Sequence, residues 1–224
     1  MQIWNSIQPQ SLKFSCSIVL LPIILLYLGC NRQPEACVSA SATQVLIGTP
    51  LIVEDCSERG FENIIALGNG AKFNNEKRIA YTYYTSGTYS IKVTAFSKKN
   101  TKKETAGTQV IISSPPKTDI QGNWTLIKVE TREQLEVDPN ISIFDLPIDS
   151  SRTFSERYEI TEDSIFVQHS GEQFYLFQFR NGYQYQEGAL LINGTSFPVV
   201  QLNSGSMVLK GPYFKGFELL YLER

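Results

Sequence analysis

One histidine, two pairs of adjacent acids and four cysteines are the side chains to weigh first for chemistry in this 224-residue sequence. His169 stands in Gln168-His169-Ser170-Gly171, which reads as a solvated hairpin turn. A lone histidine excludes a multi-histidine metal site, and any serine–histidine nucleophile would depend on it. Glu54-Asp55 and Glu162-Asp163 fall at strand ends or turns, where neighbouring side chains point to opposite faces. Acid/base work by paired carboxylates needs them on the same side of a substrate, so both are poor candidates. The sequence has no phosphate-binding loop, dinucleotide fingerprint, nucleophile elbow or Cys-x-x-Cys. The expectation is a non-catalytic protein without cofactor or metal. A formal charge of −2 argues against nucleic acid as a partner.

The cysteines carry more information. Cys16 lies inside an apolar run from Phe14 to Leu28, preceded by Lys13 and closed by Gly29. At about fifteen residues the run is shorter than the ~20 a spanning helix needs, and it has the layout of a secretory signal. A membrane span is the competing reading, against which Pro22 and the short length both count. Tyr27-Leu28-Gly29-Cys30 resembles the lipobox of bacterial lipoproteins, with Tyr27 where that family usually has Leu. The resemblance implies that residues 1–29 are a lipoprotein signal peptide and that Cys30 is the lipid attachment site. Residues 30–33 then form a lipidated tether, and acyl chains contribute ~0.8 kcal/mol per buried methylene. Surface-exposed relatives carry an acidic cluster after the cysteine, whereas Glu35 stands alone here. The implied address is therefore the periplasmic side of an outer membrane. With Cys30 acylated, Cys37 and Cys56 remain as an even pair suited to an oxidising compartment. A disulfide between them would contribute ~3 kcal/mol; two unpaired buried thiols are the alternative.

The elements that follow read as all-β, with scattered aromatic and β-branched runs and little helical periodicity. Residues 34–114 form the first predicted domain, with strands at Ala36-Ser41, Leu51-Val53, Ile64-Leu67, Thr88-Phe96 and around Val110 and Ile112. In Thr88-Phe96, Tyr89, Ile91, Val93 and Ala95 face one side while Ser90, Lys92 and Thr94 face the other. YTYYTSGTYSIKVTAF, from Tyr81 to Phe96, resembles the hallmark of PKD domains. Upstream, IALGNG keeps the two glycines of that family's glycine turn as Gly68 and Gly70. Its acidic residues are replaced by Ala66 and Asn69, which removes a calcium loop from consideration. The resemblance implies an immunoglobulin-like sandwich used for spacing, adhesion or protein contact. The basic loop from Lys98 to Lys103 could touch anionic headgroups or acidic glycans, or be a solvated hairpin tip.

Ser113-Ser114-Pro115-Pro116 marks a boundary, and residues 115–118 read as a linker. Residues 119–224 form the second domain, a succession of short alternating runs joined by polar turns. Asn181-Gly182 and Asn193-Gly194 both read as hairpin turns. An up-and-down meander of about eight strands protects its edges best by closing into a barrel. Gly122-Asn123-Trp124 and the terminal Glu218–Arg224 run resemble the opening and closing strands of lipocalin-like domains. That resemblance implies that Trp124 and Arg224 plug one barrel end through a cation–π contact, with a frayed C-terminus as the alternative. Phe174, Tyr175, Leu176, Phe177, Phe179, Tyr183 and Tyr185 crowd the middle of this domain, suggesting one face in the core and one against a partner or lid. Together these readings give an immunoglobulin-like PKD β-sandwich followed by an antiparallel up-and-down lipocalin-like β-barrel. The expected function is that of a membrane-anchored, non-catalytic envelope lipoprotein binding a protein, a glycan or a small apolar ligand. A structural or adhesive protein with a filled barrel, or an accessory subunit of an envelope enzyme, is the alternative.

Overall fold

The computed structural model describes residues 32–133, 138–170 and 176–224, with side chains described outside 169–180. Cys16, Cys30 and the leader lie outside the described residues, as do Phe174 and Tyr175 and the side chains of His169, Leu176, Phe177 and Phe179. Among the described residues no helix is long and apolar enough to cross a membrane.

The N-terminal half is eight strands: β1 (Val38–Ala40), β2 (Gln44–Leu46), β3 (Pro50–Asp55), β4 (Glu62–Ala66), β5 (Lys72–Asn74), β6 (Arg78–Thr82), β7 (Gly87–Phe96) and β8 (Lys103–Ser113). They make a three-stranded sheet in the order β1-β3-β6 and a five-stranded sheet in the order β2-β8-β7-β4-β5. Alternation builds the core between them. Leu51 and Val53 from one sheet meet Ile65, Ile91, Val93, Val110 and Ile112 from the other, all essentially buried. Each such side chain contributes about 1.5–3 kcal/mol on burial. Gly68 cannot be replaced, because its φ is +80° and a Cβ there would come within 2.8 Å of the Ser90 carbonyl oxygen.

After β8 a single helical turn, α1 (Lys117–Ile120), starts behind Pro116. Part of the stretch read as linker is therefore helical. Proline fits the start of a helix, where its missing N–H has no intrahelical acceptor. Eight further strands follow: β9 (Gly122–Arg132), β10 (Ser150–Ile160), β11 (Ser164–Ser170), β12 (Leu176–Gln186), β13 (Ala189–Ile192), β14 (Thr195–Leu202), β15 (Ser206–Tyr213) and β16 (Gly216–Glu223). Each pairs antiparallel with its neighbours, and β9 pairs with both β10 and β16, closing an eight-stranded barrel without a free edge. Register shifts between β9 and β10, between β14 and β15, and between β9 and β16 supply the local bends that closure needs. Trp124, Leu126, Leu190, Val199, Met207 and Leu222 fill the axis.

Two turn assignments differ from the sequence reading. Asn181-Gly182 does not turn; β12 runs straight through it because Asn181 and Gly182 stay in register with Ile165 and Ser164 of β11. The hairpin forms instead at Glu187-Gly188, both at positive φ (50° and 83°). His169 sits within β11 opposite Phe177 of β12, so its backbone belongs to a strand rather than a turn.

Candidate functional site

Where the sandwich meets the barrel, a cleft of about 550 Å³ opens between them. Its sandwich wall comes from the end of β6 and the start of β7. Tyr81, Tyr83, Tyr84 and Tyr89 converge there because the chain reverses direction within a few residues. Tyr81 and Tyr83 meet edge-to-face at 4.9 Å between centroids, and Tyr83 and Tyr89 lie 4.4 Å apart. Every phenol is already engaged. Tyr83 donates to the Leu67 carbonyl (2.9 Å) and Tyr89 to the Thr85 carbonyl (2.9 Å). Tyr81 donates to the Pro139 carbonyl (2.6 Å), and Tyr84 shares a hydrogen bond with Ser142 Oγ (2.7 Å). Burial raises the pKa of all four, so none supplies a phenolate at physiological pH. What the tyrosines offer a ligand is ring surface.

The barrel wall of the cleft is the outer face of β13, β14 and β15 with the Glu187-Gly188 turn. Leu191, Pro198 and Val200 give it apolar ground, and Gln186, Ser196 and Lys210 give it polar groups. A third side is a strap, residues 138–149 between β9 and β10, which lies across the outer barrel wall. Ile143 and Leu146 of the strap are buried against Val200, Val208, Phe217 and Leu219. The strap is also stitched to the sandwich, since Lys72 N donates to Asn140 Oδ1 (2.7 Å) and Tyr81 and Tyr84 bond to it as above. Beyond Tyr81, Tyr84 and Ile141 a second hollow of about 340 Å³ continues along the same strap.

The walls are held in place by contacts too close to slide. Gly48 (φ +76°) packs so near β14 that a Cβ would stand 2.5 Å from the Val200 carbonyl oxygen. Gly188 is similarly pressed on Ser114, whose Oγ would lie 2.6 Å from a Cβ. Ser86 Oγ donates to the Glu187 carbonyl (3.3 Å), and the Tyr185 hydroxyl donates to the Pro115 carbonyl (2.8 Å).

Electrostatically the outer barrel wall is unusual for its buried charge. Glu130 and Arg132 are almost wholly buried beneath the strap. Glu130 accepts from Lys128 Nζ, Arg132 Nη2 and the Tyr221 hydroxyl, each at 2.8 Å. Burial alone would raise its pKa, but the bonds from Lys128 and Tyr221 and the Arg132 charge outweigh it and hold the carboxyl below its usual range.

The residues singled out in the sequence lie elsewhere. Cys37 and Cys56 form a disulfide joining the start of the sandwich to the end of β3. Beside it Asp55 is buried, accepting from Ser57 N (2.8 Å), from Lys77 Nζ (3.0 Å) and from Asn63 Nδ2. Burial is again opposed by these bonds, which leave its carboxyl below the ordinary value. Glu54, its neighbour, points the other way to Arg78 (3.2 Å). Glu162 and Asp163 sit exposed in the β10–β11 turn. Trp124 and Arg224 come together at the barrel end: the guanidinium lies 4.2 Å from the indole centroid and donates to the Asp119 (2.6 Å) and Gln121 (3.0 Å) carbonyls. Trp124 Nε1 donates to the Ile120 carbonyl (2.8 Å). None of these groups reaches the cleft. Sequence reasoning missed the cleft itself, and its one available signal was three tyrosines within four residues, Tyr81 to Tyr84.

No family model matches the chain, and no curated protein matches it. One solved structure, described as showing the "promiscuous specificity of the carbohydrate-binding modules from the beta-sandwich super family", covers 86% of this chain and 91% of its own. The identity is 10% and the TM-score 0.35, a likeness too distant to set a fold or a function for this chain.

Proposed function

We propose that this chain is a non-catalytic binding protein, lipid-anchored at Cys30 on the periplasmic side of an outer membrane, whose ligand sits in the cleft between sandwich and barrel. The observation that carries the reading is the cleft: about 550 Å³, walled by tyrosine rings whose hydroxyls are each hydrogen-bonded within the protein. That volume falls within the ~300–1,000 Å³ of small-molecule sites, which combine apolar walls with a few fixed polar groups. Ring faces beside Asn69, Ser86, Gln186 and Ser196 suit a ligand with an apolar face and a hydroxylated rim, and a short saccharide is such a ligand. The PKD-like sandwich then serves as spacer. β7 runs from Gly87 at the cleft to Phe96 at the opposite end, where Gln33 Nε2 ties the tether to the Lys103 carbonyl. Ten residues of strand hold the cleft about 30 Å from the tether.

The test is to fill the cleft from a position that touches no core. Ser196 is exposed on the outer face of β14. Ser196→Trp should abolish binding to an oligosaccharide panel while leaving the melting temperature within a few degrees. Binding that survives the tryptophan would reject the cleft. For the anchor, Cys30→Ser should move the protein from the membrane to the soluble fraction. A second reading, docking of a protein on the barrel rim, is favoured by the β15–β16 hairpin tip, where Phe214 is 86% exposed.

A further inference from the structure

Three cations lie on the outer barrel wall near the strap, and two of them have an acid. Lys128 and Arg132 share Glu130. The ammonium of the third, Lys210 of β15, has no hydrogen bond or ion pair among the described residues. Its register explains why it cannot share the same acid. Lys210 and Glu130 flank Leu219 of β16 from opposite sides, and Leu219 is fully buried between them. Two strand spacings, about 9–10 Å, separate their backbones. Lys210 is only partly exposed, its ammonium resting 4.4 Å from the Phe217 ring centroid, and burial pulls its pKa below the ordinary value. A ring face compensates a desolvated ammonium less completely than an acid does. Lys210 also lines the cleft, with Ile143, Pro198 and Val200 beside it as apolar neighbours.

Resting on the cleft as the binding site, we propose that its ligand carries a carboxylate and that Lys210 is the counter-ion, which makes the ligand an acidic saccharide of the uronate type. The molecule contains its own example of the pairing. On the same wall a buried carboxylate, that of Glu130, is held by a lysine, an arginine and a tyrosine hydroxyl. In the cleft the lysine and the ring surface are present; Glu187, the acid of the lining, makes no ion pair with Lys210 among the described residues, and a carboxylate for it would arrive with the ligand. The charge supplies selectivity because a neutral ligand would leave the ammonium half-desolvated and unpaired.

The experiment is calorimetric titration of the full mature protein with a uronate trisaccharide and, separately, its methyl ester. The pair share the sugar backbone and differ at the carboxyl groups, ionised in one and neutral and methyl-capped in the other. Wild type should bind the acid about tenfold or more tightly than the ester, in line with a charge-assisted hydrogen bond. Lys210→Met keeps the methylene stem and removes the charge, so the preference should fall to within about twofold. Lys210→Arg should retain a preference for the acid. Equal binding of acid and ester by wild type, or an undiminished preference in Lys210→Met, overturns the assignment, as does no binding of the acid at millimolar concentration. Ser196→Trp separates the two claims. If it removes binding of acid and ester that wild type binds equally, the cleft stands and the role of Lys210 falls. If it leaves acid binding intact, the cleft reading fails and takes this inference with it. The wild-type comparison does not depend on any variant folding.

Discussion

Gly48→Ala tests whether sandwich and barrel are packed as one body. Two terms act on the added methyl. The first is backbone strain, since Gly48 has φ +76°, where a side chain costs about 1–2 kcal/mol. The second is contact: the Cβ would lie 2.5 Å from the Val200 carbonyl oxygen and 2.9 Å from Gln201 Cα, both backbone atoms that cannot rotate away. Overpacking of that kind adds about 1–3 kcal/mol. Gly194 separates the terms, because its φ is +79° and nothing lies within 4 Å of a Cβ built there. Gly194→Ala should therefore cost only the strain, about 1–2 kcal/mol, and Gly48→Ala about 2–5 kcal/mol. Equilibrium urea unfolding of both variants beside wild type reads the difference, with tryptophan fluorescence as the probe. Trp124 is the sole tryptophan beyond residue 4, so the signal comes from the barrel end. If the two alanines cost the same, the close approach of Gly48 to β14 is wrong, and the cleft loses its fixed walls.

Three further outcomes follow from the same geometry. Asp55 and Glu130 have folded pKa values below their unfolded ones, so their stabilisation is complete above the ordinary carboxylate range and disappears as pH falls through the folded values. Between about pH 5 and 2 wild type should lose stability more steeply than Asp55→Asn, and parallel acid limbs would speak against the buried hydrogen bonds. Arg224→Ala removes a cation–π contact and two carbonyl hydrogen bonds from the exposed barrel end, costing about 1–2 kcal/mol and shifting the Trp124 emission; unchanged emission would mean the guanidinium does not cover the indole. Lys98 and Lys99 are exposed just after β7, whose last residue, Phe96, pairs with the exposed Phe61 through a backbone bond. Charge reversal of both should weaken binding to vesicles rich in anionic lipid by about 1 kcal/mol or more per residue, and equal binding would return the loop to a solvated hairpin tip.

How far the sequence carried the fold depends on what each element answers to. An all-β sandwich followed by a closed barrel was legible because alternation and glycine turns are local. Ile91, Val93 and Ala95 face inward from β7 for the reason a period of two requires. Asn181-Gly182 misled because a favoured turn dipeptide is only a preference. In the barrel its backbone is claimed on one side by β11, and β12 continues four residues further to pair with β13. The turn then falls to Glu187, a residue that seldom adopts positive φ, and nothing local announces it. The cleft was illegible for a different reason. Its walls come from segments about a hundred residues apart, as the Ser86–Glu187 bond shows. Nothing in the sequence marks Lys210, and its isolation becomes visible only when Glu130 is seen committed to two other cations.

A ligand seated in this cleft would touch both halves of the molecule, which links binding to the junction. Any perturbation that loosens the contact of Gly48 with β14 would lower the fraction of molecules with an assembled cleft, and the apparent affinity would fall by that fraction. Conversely a saturating ligand would stabilise the joined form by about 2.7 kcal/mol at a hundred times its dissociation constant. Gly48→Ala should therefore weaken ligand binding without altering a cleft side chain, and ligand should restore part of the stability that the alanine removes. Gly194→Ala, strained but with nothing within 4 Å of its added methyl, should keep wild-type affinity and gain the same ligand stabilisation as wild type. A Gly48 variant that is destabilised yet binds with wild-type affinity would place the ligand on one half alone, and the sandwich would then be a spacer with no part in recognition.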